Sequence, residues 1–179
     1  MKVRAARVIE EGEEITTQYI EVEADFEERS KQLQKLYKMV CTCAACSDPV
    51  NSDKRRRELR SFFVAIKPED VLNPLLKKLK YMEEEGLHAV DRYSSTLELI
   101  LNFYMNIADE ENALKYGKMF YAAECARGRG KRSVKYNSLE KMKADQLWDV
   151  KRYKDDGSPN PFTDMFAGLK WNIMPMPAM

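Results

Sequence analysis

The alternation of hydrophobic and polar positions predicts two short strands at the start of the chain. Residues 2–9 and 14–20 are rich in β-branched and aromatic side chains, a composition typical of strands. Between them, Glu11 and Gly12 predict a turn, because glycine adopts a positive φ without steric cost. The first residues of the chain are therefore expected to form a β-hairpin.

The hydrophobic period then changes from that of a strand to that of a helix. Apolar positions such as Leu33 and Leu36 lie on one face of residues 26–37, among charged neighbours. Asp25 is suited to be the N-cap of this helix, and Glu28 three residues later would complete a capping box. The sequence thus predicts one capped amphipathic helix after the hairpin.

Beyond residue 53 the pattern is helical, and turn-forming residues over 50–53 predict a boundary there. Pro74 should interrupt or kink one of these helices. Residues 157–179 carry many prolines and predict an irregular tail, with Phe162, Phe166 and Trp171 docking on the helices. The predicted helices span residues 54–66, 68–85, 89–107, 110–127 and 138–153.

Two of these helices carry matching apolar stripes and are separated by a short turn at Ala108 and Asp109. Such antiparallel pairs resemble tetratricopeptide units, although the sequence shows one good pair and no clear repeat. The stripe of the first helix is formed by Leu97, Leu101, Tyr104 and Ile107, and that of the second by Ala113, Tyr116, Phe120 and Ala123.

The amino-acid composition excludes several classes of function for this chain. The 179 residues include 30 basic and 29 acidic side chains, a net charge of +1 that argues against a dedicated nucleic-acid coat. A single histidine excludes multi-histidine metal centres, and neither nucleotide-binding glycine motif occurs. No apolar run could span a membrane and no secretory signal begins the chain, so we expect a cytoplasmic or nuclear protein with reduced cysteines.

Three of the four cysteines form the most specific motif of the chain. Cys41, Cys43 and Cys46 follow the spacing C-x-C-x-x-C, which allows three thiolates to converge on one tetrahedral Zn²⁺. Incidental clustering in a loop is the alternative. A zinc site needs a fourth ligand, and Cys125 and His88 are the remaining candidates, although Cys125 on an amphipathic helix is also a typical core residue.

Residues 6–46 carry a second, longer pattern. The segments ARVIEEGEEITTQY over 6–19 and EERSKQLQKLYKMVCTCAAC over 27–46 keep one order and spacing throughout. Together they resemble the end of a SET domain and its post-SET segment, as in protein-lysine methyltransferases of the SET-and-MYND type and their fungal relatives. The helical remainder is similar to the C-terminal helical domain of that family by pattern rather than by motif.

The resemblance implies transfer of a methyl group from S-adenosylmethionine to a lysine amine. Tyr19 matches the tyrosine that closes the SET motif and orients the amine, and Tyr37 matches a tyrosine that lines the lysine channel. An aromatic side chain usually packs on adenine at the position of Met39, so this chain departs from the pattern there. Without the resemblance, Tyr19 would be interpreted as a half-buried aromatic residue of a strand, and Tyr37 as a core residue at the end of a helix.

The resemblance also implies that part of the family's machinery is missing. The glycine-containing cofactor loop and the Asn-His-x-Cys segment, whose cysteine is the fourth zinc ligand, do not occur in the sequence. We therefore expect a C-terminal part of such an enzyme, with an incomplete zinc site and no catalysis by the chain alone. The expected fold is mostly α within the α+β class: a SET end over 1–24, a post-SET segment over 25–50, a tetratricopeptide-like domain over 54–156 and a tail over 157–179.

A non-catalytic alternative remains open. The helices could bind a partner peptide, with the cysteine segment as a structural zinc clip, instead of serving a substrate lysine. The basic runs over 54–57 and 127–132 could mark nuclear import or nucleic-acid contact, but such runs more often form solvated helix faces or basic helix ends.

Overall fold

The computed structural model describes residues 3–61 and 71–148. Within these ranges the chain is mostly helical, as the sequence predicts, and eight α-helices follow one another with a 3-10 turn, Val134–Asn137, between the last two. The helices are α1 (Phe26–Tyr37), α2 (Ala44–Ser47), α3 (Pro49–Arg60), α4 (Leu72–Glu84), α5 (Asp91–Asn106), α6 (Glu110–Ala126), α7 (Gly130–Ser133) and α8 (Leu139–Lys143).

The predicted hairpin does not form, since the described residues contain no strand. Gly12 does adopt a positive φ of 85° in a turn that the Glu13 amide closes on the Glu10 carbonyl at 3.0 Å. The flanking segments leave Val3 and Ile15 81% and 80% exposed. A two-stranded ribbon is marginally stable without a further strand or a helix to cover its apolar face, and that cover is missing among the described residues.

Helix α1 matches the predicted helix but not its predicted capping box. The Asp25 side chain caps no amide of α1; it accepts hydrogen bonds from Arg57 and Arg60 of α3. The amide of Phe26 instead donates to Asp53 Oδ1 at 2.8 Å. The start of α1 is therefore held by side chains of α3 rather than by its own first turn.

Helix α3 begins earlier than the sequence indicates. It starts at Pro49, behind the N-cap Asp48, and runs through residues 50–53, where a turn was predicted. Proline suits the first helical position because its missing N–H would lack an intrahelical partner there. The rest of the predicted helix, residues 62–66, lies outside the described ranges.

Pro74 lies in the first turn of α4. The predicted interruption therefore appears as a helix start rather than a kink, because a first-turn residue needs no intrahelical N–H. The predicted stop at Gly86 is confirmed, with a φ of 67° just beyond the helix. The predicted beginning of this helix, residues 68–70, lies outside the described ranges.

The core lies between α4, α5 and α6. A turn of three residues separates α5 from α6, so the two helices reverse direction and pack side by side. Their predicted stripes are buried, apart from the half-buried Ile107, and the rings of Tyr104 and Tyr116 stack at 5.4 Å. Gly117 of α6 allows the backbone of Tyr136 to approach closely.

The last predicted helix is much shorter than expected. Helix α8 ends at Lys143, where Asp145 accepts a hydrogen bond from the amide of Leu147 at 3.0 Å and pairs with Lys135. A side chain that captures a nearby backbone amide competes with helix continuation. The end of this prediction, residues 149–153, and the predicted tail with Phe162, Phe166 and Trp171 lie outside the described ranges.

Candidate metal centre and tyrosine pair

The end of α1 directs the chain towards the cysteine motif. Lys38 adopts a left-handed conformation with a φ of 54°, and the amides of Lys38 and Met39 donate to carbonyls of the last helical turn at 3.2 and 3.3 Å. A non-glycine residue in this conformation costs about 1 kcal/mol or more. The reversal immediately precedes Cys41 and places the cysteine motif next to the end of α1.

The three cysteines of the motif converge. The sulfurs of Cys41, Cys43 and Cys46 all lie within 4.8 Å of one another. Tetrahedral zinc with Zn–S bonds of about 2.3 Å needs S···S separations of about 3.8 Å. Cys43 precedes the short helix α2, and its carbonyl accepts from the amide of Cys46 at 2.9 Å, which folds the motif around the sulfurs. The donor set and spacing therefore fit a thiophilic metal ion.

The thiols differ in their acidity. Burial raises the pKa of Cys43, but hydrogen bonds from the Cys46 backbone and from both neighbouring thiols outweigh it, so the net shift is downward. Burial raises the pKa of Cys46 to about 11, and the hydrogen bond with Cys43 adds to that increase. In the metal-free chain, Cys43 is therefore the more acidic of the two and Cys46 the more strongly protonated.

Neither candidate for a fourth ligand joins this group among the described residues. Cys125 of α6 lies against Gly130 and interacts with the hydroxyl of Tyr121. His88 packs against the ring of Tyr93 at 4.9 Å. Both side chains therefore make their contacts within the helical region and not with the three cysteines.

The two candidate catalytic tyrosines lie together, and the second of them ends α1 shortly before the cysteine motif. The rings of Tyr19 and Tyr37 meet edge to face with centroids 5.3 Å apart, and the Tyr37 hydroxyl donates to the Tyr19 carbonyl at 3.2 Å. Both are about half exposed, and Met39, two residues after Tyr37, is 37% exposed. The edge-to-face contact is a favourable aromatic geometry. It joins two residues that are 18 positions apart in the sequence.

The basic run over 54–57 is largely neutralised by ion pairs. Arg55 and Arg56 contact Glu85 at the end of α4, at 2.5 and 2.9 Å, and Arg57 contacts Asp25. Arg56 is 3% exposed, so the expectation of a solvated helix face is wrong for this residue. A run of basic residues in a sequence does not reveal which distant carboxylates will form ion pairs with it.

In the second basic run, Arg127 pairs with Asp91, and Arg129 donates to Glu124 at 2.8 and 2.9 Å. These two arginines stabilise the region where α6 ends, as expected for a basic helix end. Arg129 and Glu124 also line an open polar cavity of about 410 Å³ beside α5 and α6.

Sequence reasoning also missed a buried arginine on the helix that precedes the cysteine motif, Arg29. It lies on α1, is 4% exposed, and its Nη1 donates to the Ala24 carbonyl at 2.5 Å and lies 3.6 Å from Asp53 Oδ1. The only available signal was its place eight residues before Tyr37 in the pattern R-x-x-x-L-x-x-x-Y.

Comparison with known proteins identifies relatives over part of the chain. Histone-lysine N-methyltransferase SET5 of Candida albicans is 35% identical over 57 residues, which are 32% of this chain and 12% of that protein. SET5 of Scheffersomyces stipitis is 30% identical over 87 residues, 49% of this chain and 18% of that protein. Human histone-lysine N-methyltransferase SMYD1 is 42% identical over 53 residues, 30% of this chain and 11% of that protein.

These matches support the assignment of the chain to the SET-domain family of the SET-and-MYND type. The chain spans less than a fifth of the length of the curated relatives it matches. No protein-family model and no solved structure matches it. In the described part of the chain, no helix combines the length and the apolar character needed to cross a membrane.

Proposed function

We propose that this chain is the C-terminal part of an S-adenosylmethionine-dependent protein-lysine N-methyltransferase and is not catalytically competent alone. The observation that carries the proposal is the contact between Tyr19 and Tyr37. Each tyrosine matches a different motif of the family, and the two side chains lie together although the residues are 18 positions apart in the sequence. Tyr19 would orient the substrate amine and Tyr37 would form one wall of its channel.

The chemistry requires a neutral lysine amine aligned with an activated methyl carbon. S-adenosylmethionine supplies that carbon as part of a sulfonium group. A hydroxyl from Tyr19 would restrict the amine to one orientation, and aromatic walls would exclude water from its path. Met39 would pack against the purine with a more flexible surface than an aromatic ring offers.

Zinc would have a structural role. Cys41, Cys43 and Cys46 would hold one Zn²⁺ as thiolates and fix the loop that follows Tyr37 and Met39. Three thiolates and a water molecule bind more weakly than a complete site, whose folding contribution is on the order of 10–16 kcal/mol. We therefore expect less than one tightly held ion per purified chain.

The exposed segments before α1 fit the same proposal. Val3 and Ile15 expose most of their apolar surface, which strands of a larger sheet would bury. We infer that residues 3–20 pair with strands supplied by other polypeptide. The packed α5 and α6 would act as a tetratricopeptide-like surface for protein rather than nucleic acid, in the cytoplasm or nucleus, where thiols stay reduced.

A chimera tests the catalytic role. This chain would replace the segment that it matches in the Candida albicans SET5 protein, and methyl transfer to histones would be measured. We expect an active chimera whose rate falls at least about 100-fold in the Tyr19→Phe variant, the scale of losing one positioned catalytic group. Tyr121→Phe, on α6 and away from the tyrosine pair, is the matched control. An active chimera that is indifferent to Tyr19→Phe would refute the assignment.

Calorimetric titration with S-adenosylmethionine tests the chain alone. We expect no heat of binding at micromolar concentrations. Binding with a micromolar dissociation constant would show that the chain holds the cofactor by itself, contrary to the proposal. An inactive chimera together with absent binding would favour the non-catalytic alternative, a peptide-binding helical module.

A further inference from the structure

Two buried arginines, one on α1 and one on α3, have unused hydrogen-bonding capacity. Arg29 of α1 is 4% exposed and Arg56 of α3 is 3% exposed. Nη2 of Arg29 and Nη1 of Arg56 are both buried without a hydrogen-bond partner. A buried donor that lacks an acceptor is costly, and more so when it is charged. Each guanidinium therefore still lacks one acceptor.

The carboxylates near these arginines are already engaged. Asp53 lies 3.6 Å from Nη1 of Arg29 and accepts from the amide of Phe26. Glu85 accepts from Arg55 and Arg56 and from the Ser52 hydroxyl at 2.6 Å. The sulfurs of the cysteine centre are further acceptors near α3, since Cys46 lies in α2, which one residue separates from α3.

Helices α1 and α2 both pack against α3, so Arg29, Arg56 and the thiols of the cysteine centre lie in the same part of the fold. Arg29 interacts with the Cys46 thiol and acts to lower its pKa, against the larger effect of burial. Burial and the positive charge of Arg29 lower the pKa of Arg56, and Glu85 and the Cys43 thiol act in the opposite direction. Two like charges in one buried place repel each other unless negative charge lies between or beside them.

We propose that Arg29 is a positioning residue of the metal centre, whose Nη2 donates a hydrogen bond to the Cys46 thiolate when metal is bound. Three thiolates around a divalent cation carry one net negative charge, which offsets part of the charge of Arg29 and Arg56. Metal-ligand orientation commonly depends on such outer hydrogen bonds. The inference rests on the metal site of the proposed function but not on methyl transfer.

The same contact would connect metal binding to helix packing. Arg29 also donates to the Ala24 carbonyl and approaches Asp53 of α3. A Cys46 thiolate held by Arg29 would therefore fix the cysteine motif to α1 and α3 together. Metal affinity should then depend on a residue that never touches the ion.

Metal titration of the purified full chain tests this proposal. Co²⁺ is titrated first, with the thiolate-to-cobalt charge-transfer band as readout, and Zn²⁺ affinity follows from competition with a chromophoric chelator. We expect Arg29→Met to weaken Zn²⁺ binding about 10- to 100-fold. Arg29→Lys, which keeps the charge but not the fork of donors, should recover part of that loss.

Arg57→Met is the matched control. Arg57 lies on α3 next to Arg56, its side chain is 65% exposed and it pairs with Asp25, so the substitution removes a positive charge from the same helix without removing a buried guanidinium. Its Zn²⁺ affinity should stay within about threefold of the unaltered chain, because exposed pairs contribute little. Equal losses in Arg57→Met and Arg29→Met would overturn the role of Arg29.

Failure of the two proposals can be distinguished. If the unaltered chain shows no charge-transfer band, the metal site is wrong and the role of Arg29 falls with it. If the unaltered chain binds and Arg29→Met matches it, only the role of Arg29 is wrong. Should Arg29→Met not fold, NMR of arginine side chains in the unaltered chain decides: Zn²⁺ should shift the Arg29 Nη protons and slow their exchange, and unchanged signals would overturn the proposal.

Discussion

Replacing Glu85 by glutamine is expected to destabilise the junction between α3 and α4. The Glu85 side chain is fully buried. Its carboxylate accepts from Ser52 Oγ at 2.6 Å and from Arg55 Nε at 2.5 Å, and Arg56 Nη2 lies at 2.9 Å. Glutamine preserves the shape and one acceptor oxygen, but it presents an amide donor to a guanidinium. The substitution thus removes a charge without creating a cavity.

The expected loss of stability follows from the removal of the carboxylate partner of Arg56. Removing one partner of a buried ion pair costs about 3–5 kcal/mol, because the other charge stays buried. The Ser52 hydrogen bond can be retained by glutamine, so we expect the lower end, a loss of about 3 kcal/mol in the free energy of unfolding at pH 7. For a chain of this length, that loss lowers Tm by about 6–12 °C.

Acid should reduce the difference between Glu85→Gln and the unaltered chain. Burial raises the pKa of Glu85, but the hydrogen bonds from Ser52 and Arg55 and the charge of Arg56 outweigh it, so the folded-state pKa lies below 4.5. A carboxylate with a lowered folded-state pKa contributes its full stabilisation above its unfolded pKa. The contribution is then lost as pH falls from about 4.5 through the folded-state value.

Denaturant unfolding of both chains from pH 7 down to pH 3 measures this effect. Glu84→Gln is the control: this neighbour is 40% exposed and lies 3.8 Å from both Arg55 and Lys80, so it should cost less than about 0.5 kcal/mol. Equal losses for the two substitutions, or a Glu85→Gln loss that does not shrink towards pH 3, would refute the buried-pair argument.

Three further predictions concern the helical region. Gly117→Ala should destabilise by about 1–3 kcal/mol, because a Cβ there would meet the Tyr136 carbonyl oxygen at 2.3 Å, and a thermal melt with unchanged Tm would contradict this. Leu101→Ala removes a side chain that is 0% exposed and should cost about 2–5 kcal/mol in denaturant unfolding, whereas Leu36→Ala, 62% exposed, should change little. Cys125→Ser should leave the metal content unchanged in elemental analysis, and a fall would identify Cys125 as the missing ligand.

The sequence predicts best those structural features that are determined within a single short segment. The facing stripes of α5 and α6 follow from a helical period within each segment, so their burial could be foreseen from residues such as Leu101 and Phe120. The hairpin failed because a strand is stabilised by neighbours along a sheet, and residues 3–20 have none in the described ranges. Helix α8 was overestimated because the side chain of Asp145 captures a backbone amide that the helical period does not reveal.

The candidate site shows the same limit. The convergence of Cys41, Cys43 and Cys46 follows from short spacing alone, so the sequence was sufficient there. The buried contacts of Arg29 and Glu85 could not be foreseen, because they join residues 24 to 33 positions apart in the sequence. Charge runs along a chain cannot reveal such pairings, because opposite charges meet through the packing of helices that are distant in sequence.

Burial is distributed unevenly along this chain, and this bears on how the tyrosine pair is held in place. In the described part of the chain, every exposed large hydrophobic residue except Val134 lies between Val3 and Val50, while most of the buried ones lie in α4 to α6. Hydrophobic burial therefore stabilises mainly α4 to α6, whereas α1 buries one large apolar side chain, Leu33, and is joined to α3 by ion pairs and hydrogen bonds. Because Tyr37 is the last residue of α1, the geometry of the tyrosine pair depends on charge pairing and on the cysteine motif rather than on a core of its own.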